Sequence, residues 1–554
     1  MTKRLLAVCL TGAMILSCAA CGGGNNDAQS SQSGGTSTST ESTDNNASAD
    51  AQEGISLSNG YADTLNTEKS DETLTIGISA EPDNLLTVSG KTQENSIAMI
   101  DGYLLDRLIN RDNKTGEIVP GLATEWERVD DTHYKFTLRD DVKMVDGKLM
   151  TADDVLYTVK FAAEHAANLD VGKYYNVDEC SAVDEHTVII ATKKVCAGFI
   201  DLLTQTPFGI ISESTVEAAG GADAISKNPV VGSGKYTFSK WEAGQYIELT
   251  RNEDYWDPDY VGYYKTIRFV FINDNSARLM AVQSGDINVA LDVPPAISYP
   301  QASTGTVNVD FFDQCKVGNI YFNTSKGAFA DKAVREAAYW AIDKNSINQV
   351  GTLGLGQISD ALFPASNEYY VDVYDEEQHV DIEKAKQILA DAGYTDTIQV
   401  TALSQAQFAP IMTVVQENLR AIGIELTIES TDAGSYVSKA KAGEYDLLYG
   451  QTDIEYRTPS YLQQFESGAI EKGVIGGPKY SSPQMDADID IIRQSFDDEE
   501  VKAALKDFMT IVKDEVLCLG INTQISSVVT SPNLTGLQEF PRHLIDCTQL
   551  RPVK

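Results

Sequence analysis

Between Glu72 and Ser79 apolar and polar positions alternate, with Leu74, Ile76 and Ile78 on one side, the period of a half-buried strand. The segment EPDNLL closes it as a turn. Alternation returns at Tyr134, Phe136 and Leu138 and stops at a second turn, Asp146-Gly147. Thr151 then stands three residues ahead of Asp154, the spacing of a capping box, and Val155, Leu156, Val159 and Phe161 supply the apolar positions of the helix it opens. From Gly232 to Trp256 the chain reads as two strands joined through Glu242-Ala243-Gly244, and KTIRFVFIND adds a third. A short helix over NSARLMAVQS is closed by Gly285, before a strand at Ile287 to Leu291.

The C-terminal half changes rhythm. In FADKAVREAAYWAID, Val334, Ala337, Ala338 and Ala341 share one helical face. In DIEKAKQILADAGY, Ala385, Ile388, Leu389 and Ala392 do the same between an Asp381 cap and Gly393. TIQVTALS, FAPIMTVVQENLRAIG and IELTIES then read as strand, helix and strand, a βαβ unit that requires a partly parallel sheet. SYVSKAKAGEYDLLYGQ repeats the step from helix to strand, its strand ending near Tyr449. The class is α/β, with no internal repeat of fixed period.

The N-terminus is of another kind. Lys3 and Arg4 precede an apolar run from Leu5 to Leu16 and then the small residues of LSCAACGGG, the order of an export signal. The run holds about 12 residues where a membrane-spanning helix needs about 20, which favours a cleaved signal over residues 1–20. Cys21, after two alanines and before three glycines, resembles the lipidated cysteine of bacterial lipoproteins, with Cys18 as a second candidate. Residues 21–70 are dominated by Gly, Ser, Thr, Asn, Asp and Ala. They bury too little apolar surface to offset their ordering entropy and are expected to form a tether.

About 480 residues follow, enough for two or three domains. The chain carries 43 basic and 81 acidic residues, a formal charge of −38, so nucleic acid is excluded as a partner by repulsion from its phosphates. Five cysteines lie beyond the anchor: Cys180, Cys196, Cys315, Cys518 and Cys547. None forms CxxC or a Cys/His cluster, and His133, His165, His186, His379 and His543 show no metal-ligand spacing, so neither a metal nor a cofactor is expected. Export permits disulfides, and Cys180 with Cys196 is the one locally plausible pair. GxSxG, HExxH and Walker motifs are absent, and GTLGLG (Gly351 to Gly356) follows a helical segment rather than a strand. An enzyme is therefore not expected.

Several segments together resemble the extracytoplasmic solute-binding proteins of peptide and nickel ABC transporters, the family 5 or oligopeptide-binding group. The likeness rests on Pro120 to Ala162 (PGLATEWERVDDTHYKFTLRDDVKMVDGKLMTADDVLYTVKFA), on GSGKYTF with the RNEDYW that follows, on YFNTSKGAFADKAVREAAYWAID and on DIEKAKQILADAGY, in the family's order. It covers nearly all of residues 72 to 545. Trp126, Trp241, Trp256 and Trp340 fall inside these motifs and are read as core.

The resemblance implies a two-lobed periplasmic-binding-protein-like fold (type II, cluster C) with an inserted subdomain in the first lobe. Residues 71–96, 227–318 and 516–554 would form that lobe, 97–226 the insertion and 319–515 the second lobe. Cys315 and Cys518 would lie near the two crossings, where a disulfide could join them. The implied function is capture of a short peptide, or a similar small solute, and delivery to ABC permease and ATPase subunits. A monomer, lipid-anchored on the extracytoplasmic face of the cell membrane, is expected.

In peptide-binding members an acid following a second-lobe strand pairs with the ligand's α-ammonium. The corresponding stretch is LLYGQTDIEYRTPSYLQQF, which makes Asp453 the first candidate and Glu455 the second. The family's tryptophan is replaced by Gln451 and its acid before the proline by Thr458. Arg457 could meet a ligand carboxylate. Tyr449, Tyr321 and Asn323 lie at strand ends near the lobe boundaries, and Ser404 and Gln405 occupy the strand-to-helix turn of the βαβ unit, where open α/β sheets bind ligands. Three rivals remain: a peptide-sensing receptor without transport, a binder of a nickel chelate or haem, and an extracellular hydrolase using Asp453 and Glu455 as paired acids.

Overall fold

The computed structural model describes residues 68–89, 95–112, 115–166, 170–260, 262–365, 367, 370–374, 379–452, 461–469, 474, 476–539 and 545–553. The signal, Cys21 and the tether up to residue 67 lie outside them; Ser70, the last residue assigned to the tether, already belongs to the first strand.

Leu74, Ile76 and Ile78 turn inward as their alternation requires, on strand β1 (Ser70–Ile78). A hairpin, β2 (Ile109–Arg111) and β3 (Ile118–Pro120), leads into a four-stranded sheet. That sheet comprises β4 (Ala123–Arg128), β5 (His133–Leu138), β6 (Ser181–Asp184) and β7 (Thr187–Ala191), in the order β4-β5-β7-β6. The helix Ala152–His165 packs on it, and both halves of the Thr151/Asp154 capping box are formed.

The chain then returns to the main sheet through β8 (Tyr236–Glu242), β9 (Tyr246–Arg251), β10 (Tyr264–Phe271) and β11 (Val289–Val293). A long strand follows, β12 (Asn308–Phe322). Next come β13 (Ile398–Gln405), β14 (Ile424–Thr431), β15 (Leu447–Thr452) and a second long strand, β16 (Cys518–Thr530). These ten strands make one sheet in the order β14-β13-β15-β12-β16-β11-β1-β10-β9-β8.

The apolar core divides on either side of β12 and β16. One cluster joins β1, β10 and the first-half sheet, from Leu74 to Tyr264, with residues of the insertion such as Phe136, Val159 and Phe199. Two others flank the β12–β15 region: one gathers Ile320, Val334, Val415 and Tyr449, the other Tyr321, Leu403, Met485 and Phe508. The predicted βαβ unit is present, with β13 and β14 parallel from Ile398↔Ile424 to Gln405↔Thr431 and the helix Ala409–Arg420 between them.

Several expectations are corrected. The strand predicted at Ile287 starts two residues later, because the Asp286 and Ile287 N–H groups still donate to Ala281 O at the helix end. Ala392 is exposed, since its helix stops at Asp391. The four tryptophans are only partly buried at the edges of the cores. Cys180 and Cys196 are not joined by a disulfide. The Cys180 sulfur is engaged by the Ala191 N–H and the Asn176 carbonyl at 3.2 Å, while Cys196 is buried in the core. Cys518 is free. It pairs with Tyr321, six positions along β12 from Cys315, and about 20 Å of strand is far beyond disulfide reach.

Candidate functional site

Strand direction determines where a ligand can sit. β1 runs parallel to β10 and β11, and Ile78, Phe271 and Val293 end at nearly one level. β13, β14 and β15 are parallel to one another and antiparallel to β12 through β15, so their carboxyl ends point back toward the first half. Two sets of parallel strands therefore aim their carboxyl ends at each other, which is where open α/β sheets bind ligands. On β16 the first set ends opposite Ser527, paired with Val293, and the second opposite Thr523, level with Thr452 through Val317. The four steps along β16 from Thr523 to Ser527 span roughly 13 Å, slightly more than the spacing of stacked sheets.

The floor of the gap is irregular. Asp313 pairs with Ile525 and Val317 with Thr523, leaving Gln314, Cys315 and Lys316 opposite Gln524 alone. This is a bulge, and a second register shift follows between Gly318 and Asn319. Polar side chains gather here although they are buried: Asn319, Thr452, Asn522, Thr523 and Gln524. Gln451 Nε2 donates to Gln524 Oε1 at 3.0 Å, and Asn522 Nδ2 donates to Asn348 Oδ1 at 2.8 Å.

On the first-half side the strand ends are held by Arg278, wholly buried. Its guanidinium donates to the carbonyls of Ile272, Leu291 and Asp292 at 2.7, 3.0 and 3.1 Å. Asp292 sits at φ 52, an unusual conformation for a residue with a side chain. Burial raises its carboxyl above the ordinary range against the pull of Arg278 and Lys316. After β1, Glu81 accepts from Trp241 Nε1 at 2.7 Å and from the Gly244 N–H at 3.0 Å, which fixes the loop at that strand's end.

The structure brings four predicted residues to the gap. Ser404 and Gln405 end β13, and the Ser404 hydroxyl donates to Gln405 O at 3.1 Å. Tyr449 and Tyr321 are on neighbouring strands but opposite faces, each in a different core cluster. Among the described residues the Tyr449 hydroxyl has no hydrogen bond of good geometry, and burial pushes its pKa well up, with Gln451 and Gln524 as its polar neighbours. Its ring packs 5.0 Å from Phe408. Tyr321 meets Thr452 Oγ1 at 2.7 Å.

Asn323 is placed elsewhere. It follows the far end of β12, where its Nδ2 donates to the carbonyls of Gly443 and Tyr445 at 3.3 and 2.9 Å and its Oδ1 accepts from Ser325. It organises the turn into β15, about 20 Å along the ladder from Val317. Asp453, Glu455 and Arg457 lie outside the described residues; β15 runs to Thr452, three residues beyond the predicted end. Sequence reading passed over Asn319, Thr452 and Gln524; the only signal was a run of polar residues inside otherwise apolar strands. Among the described residues no group of His, Cys, Asp and Glu could hold a metal ion. Nor is any described helix long and apolar enough to cross a membrane.

Residues 117–472 match the bacterial extracellular solute-binding proteins of family 5, in the middle region. Di/tripeptide-binding protein 1 of Pseudomonas aeruginosa is 27% identical over 375 residues, covering 62% of this chain and 69% of that protein. The nickel-binding periplasmic protein of Escherichia coli is 24% identical over 479 residues, 79% of this chain and 87% of that one. Among solved structures, the periplasmic binding protein DppA of Helicobacter pylori in complex with the peptide STSA superposes with a TM-score of 0.73 at 21% identity, covering 87% of this chain and 98% of that one. The fold is thus the two-lobed α/β architecture of periplasmic binding proteins, and the two sets of strand ends belong to its facing lobes. With over half its length matched, this chain belongs to the family 5 bacterial extracellular solute-binding proteins.

Proposed function

We propose that this protein captures short peptides outside the membrane and delivers them to the permease and ATPase subunits of an ABC importer. Residues 1–20 are removed, a lipid on Cys21 holds the chain to the membrane, and residues 21–70 tether a monomeric body. Residues 71–96, 227–318 and 516–554 form the first lobe, 97–226 its insertion and 319–515 the second lobe. One observation carries the reading: a gap of roughly 13 Å, framed by two facing sets of strand carboxyl ends and floored by buried polar side chains, in a chain of this family. Relatives named for di- and tripeptides support the ligand class. Asp453 takes the peptide ammonium, with Glu455 second to it, and Arg457 meets the carboxylate. Ser404, Gln405, Tyr321 and Tyr449 line or back the same end of the second lobe.

Thermal denaturation against an equimolar mixture of di- to pentapeptides tests this. Stabilisation is expected, and Asp453→Ala should weaken it by about 1 to 3 kcal/mol. A protein that ignores every peptide yet is stabilised by a nickel chelate or an oligosaccharide would overturn the peptide reading.

A further inference from the structure

Asn319, just past the second register shift, is wholly buried, and among the described residues only the nitrogen end of its amide is engaged. Its Nδ2 donates to Val317 O at 2.9 Å and to Thr452 Oγ1 at 2.8 Å; the Tyr321 hydroxyl, 2.7 Å from the same Oγ1, completes a triad on one face of the sheet. A carbonyl oxygen can only accept, so the contact to Val317 fixes which end of the amide is nitrogen. Oδ1 is therefore directed away from this triad. It is shielded from solvent and has no donor among the described residues. Such an acceptor is uncommon in a folded chain, because its lost hydration is not replaced. It lies beside the last pairs of the β12–β15 ladder, Val317↔Thr452 and Asn319↔Gly450, at the edge of the gap.

We infer that Asn319 Oδ1 is a specificity-determining acceptor of the ligand site, taking one N–H of the bound ligand's amide backbone. The inference rests on the peptide reading above and deepens it. Held by two bonds from its nitrogen end, the amide cannot turn to offer a donor, so the position accepts an N–H and rejects an ester oxygen or a carbonyl. Thr452 and Tyr321 are positioning residues that keep it so.

The test takes the tightest binder from the peptide mixture, together with analogues in which each amide in turn is replaced by an isosteric ester. Dissociation constants are measured by calorimetry on the full chain. For the wild type, one ester position should weaken binding about tenfold. Asn319→Leu should weaken the parent peptide by a similar factor and no longer distinguish it from that ester. Should Asn319→Leu fail to fold, the same comparison is made on Asn319→Ala. If the variant keeps the full ester penalty at every position, Asn319 merely supports the strand end; the inference falls and the peptide reading stands. If no peptide binds the wild type, the peptide reading fails and takes the inference with it.

Discussion

The segment that carries the four-stranded sheet touches the helical segment between β15 and β16, and cutting that contact should weaken ligand binding without touching the ligand. The Ala197 N–H donates to Arg493 O at 2.9 Å, and the Arg128 guanidinium lies 3.6 Å over the ring of Phe496. The patch is braced from behind. The Tyr134 hydroxyl donates to Cys196 O at 3.1 Å on one side, and Arg493 pairs with Glu466 on the other. Phe496 is 37% exposed, so this is a rim contact in high dielectric, where a cation–π pair contributes about 0.5 to 1 kcal/mol. If the lobes must close to retain a ligand, Phe496→Ala subtracts that amount from the closed form alone. The dissociation constant should then rise about two- to fivefold. Arg128→Ala should give the same rise, and the double variant should add little, since both remove one interaction. Calorimetry reads the affinity, and X-ray scattering of the ligand-free protein should show a larger radius of gyration in both variants. Unchanged affinity and identical scattering would refute the role in closure.

Two further predictions concern the scaffold of the site. A Cβ at Gly318 would lie 2.4 Å from the Tyr449 hydroxyl and 2.8 Å from Gln524 Nε2, so Gly318→Ala should destabilise by about 1 to 3 kcal/mol in chemical denaturation; an unchanged midpoint would show that the floor yields freely. Asp101, wholly buried, has its carboxyl raised to about 7 by burial, against the opposing hydrogen bonds from Thr87 and the charge of Arg107. Between about pH 4 and pH 7 the unfolded chain has released this proton while the folded chain keeps it, so stability falls as pH rises, by up to about 1.4 kcal/mol per unit. Asp101→Asn should flatten that slope in denaturation midpoints taken from pH 4.5 to 8, and parallel profiles would refute it.

What could be read in the sequence was what local chemistry decides. Thr151 with Asp154, and the cap Asp381, placed their helices correctly because a side chain that satisfies a free N–H acts within three residues. The parallel pair β13–β14 was legible because its connection is one short helix. The long strands β12 and β16 gave no comparable signal. Bulging at Gln314 to Lys316 breaks β12's alternation, and β16 is buried along its whole length yet polar at Asn522, Thr523, Gln524, Ser526 and Ser527. Asn323 illustrates the opposite error: a polar residue at a strand end suggested a ligand contact, but the end it occupies faces away from the gap.

The polarity of β16 follows from where it runs. Either core can cover an apolar strand, but the stretch between them has no apolar layer on hand, so its side chains must be satisfied by hydrogen bonds. They bond largely to one another and to nearby backbone: Gln524 Nε2 to Asn522 Oδ1 at 3.2 Å, Ser527 Oγ to Val293 O at 2.9 Å, Gln451 Nε2 to Gln524 Oε1 at 3.0 Å. Opposite Gln524, the three bulged residues of β12 leave the ladder thin at that level. A strand pair with few ladder bonds and short polar contacts can twist there while the apolar clusters on either side keep their packing. Bending confined to this level would carry Asn319, Thr452 and the end of β15 toward Asp292 and the end of β11. The same bulge that obscured β12 in the sequence is thus the feature that suits it to join two lobes closing on a ligand.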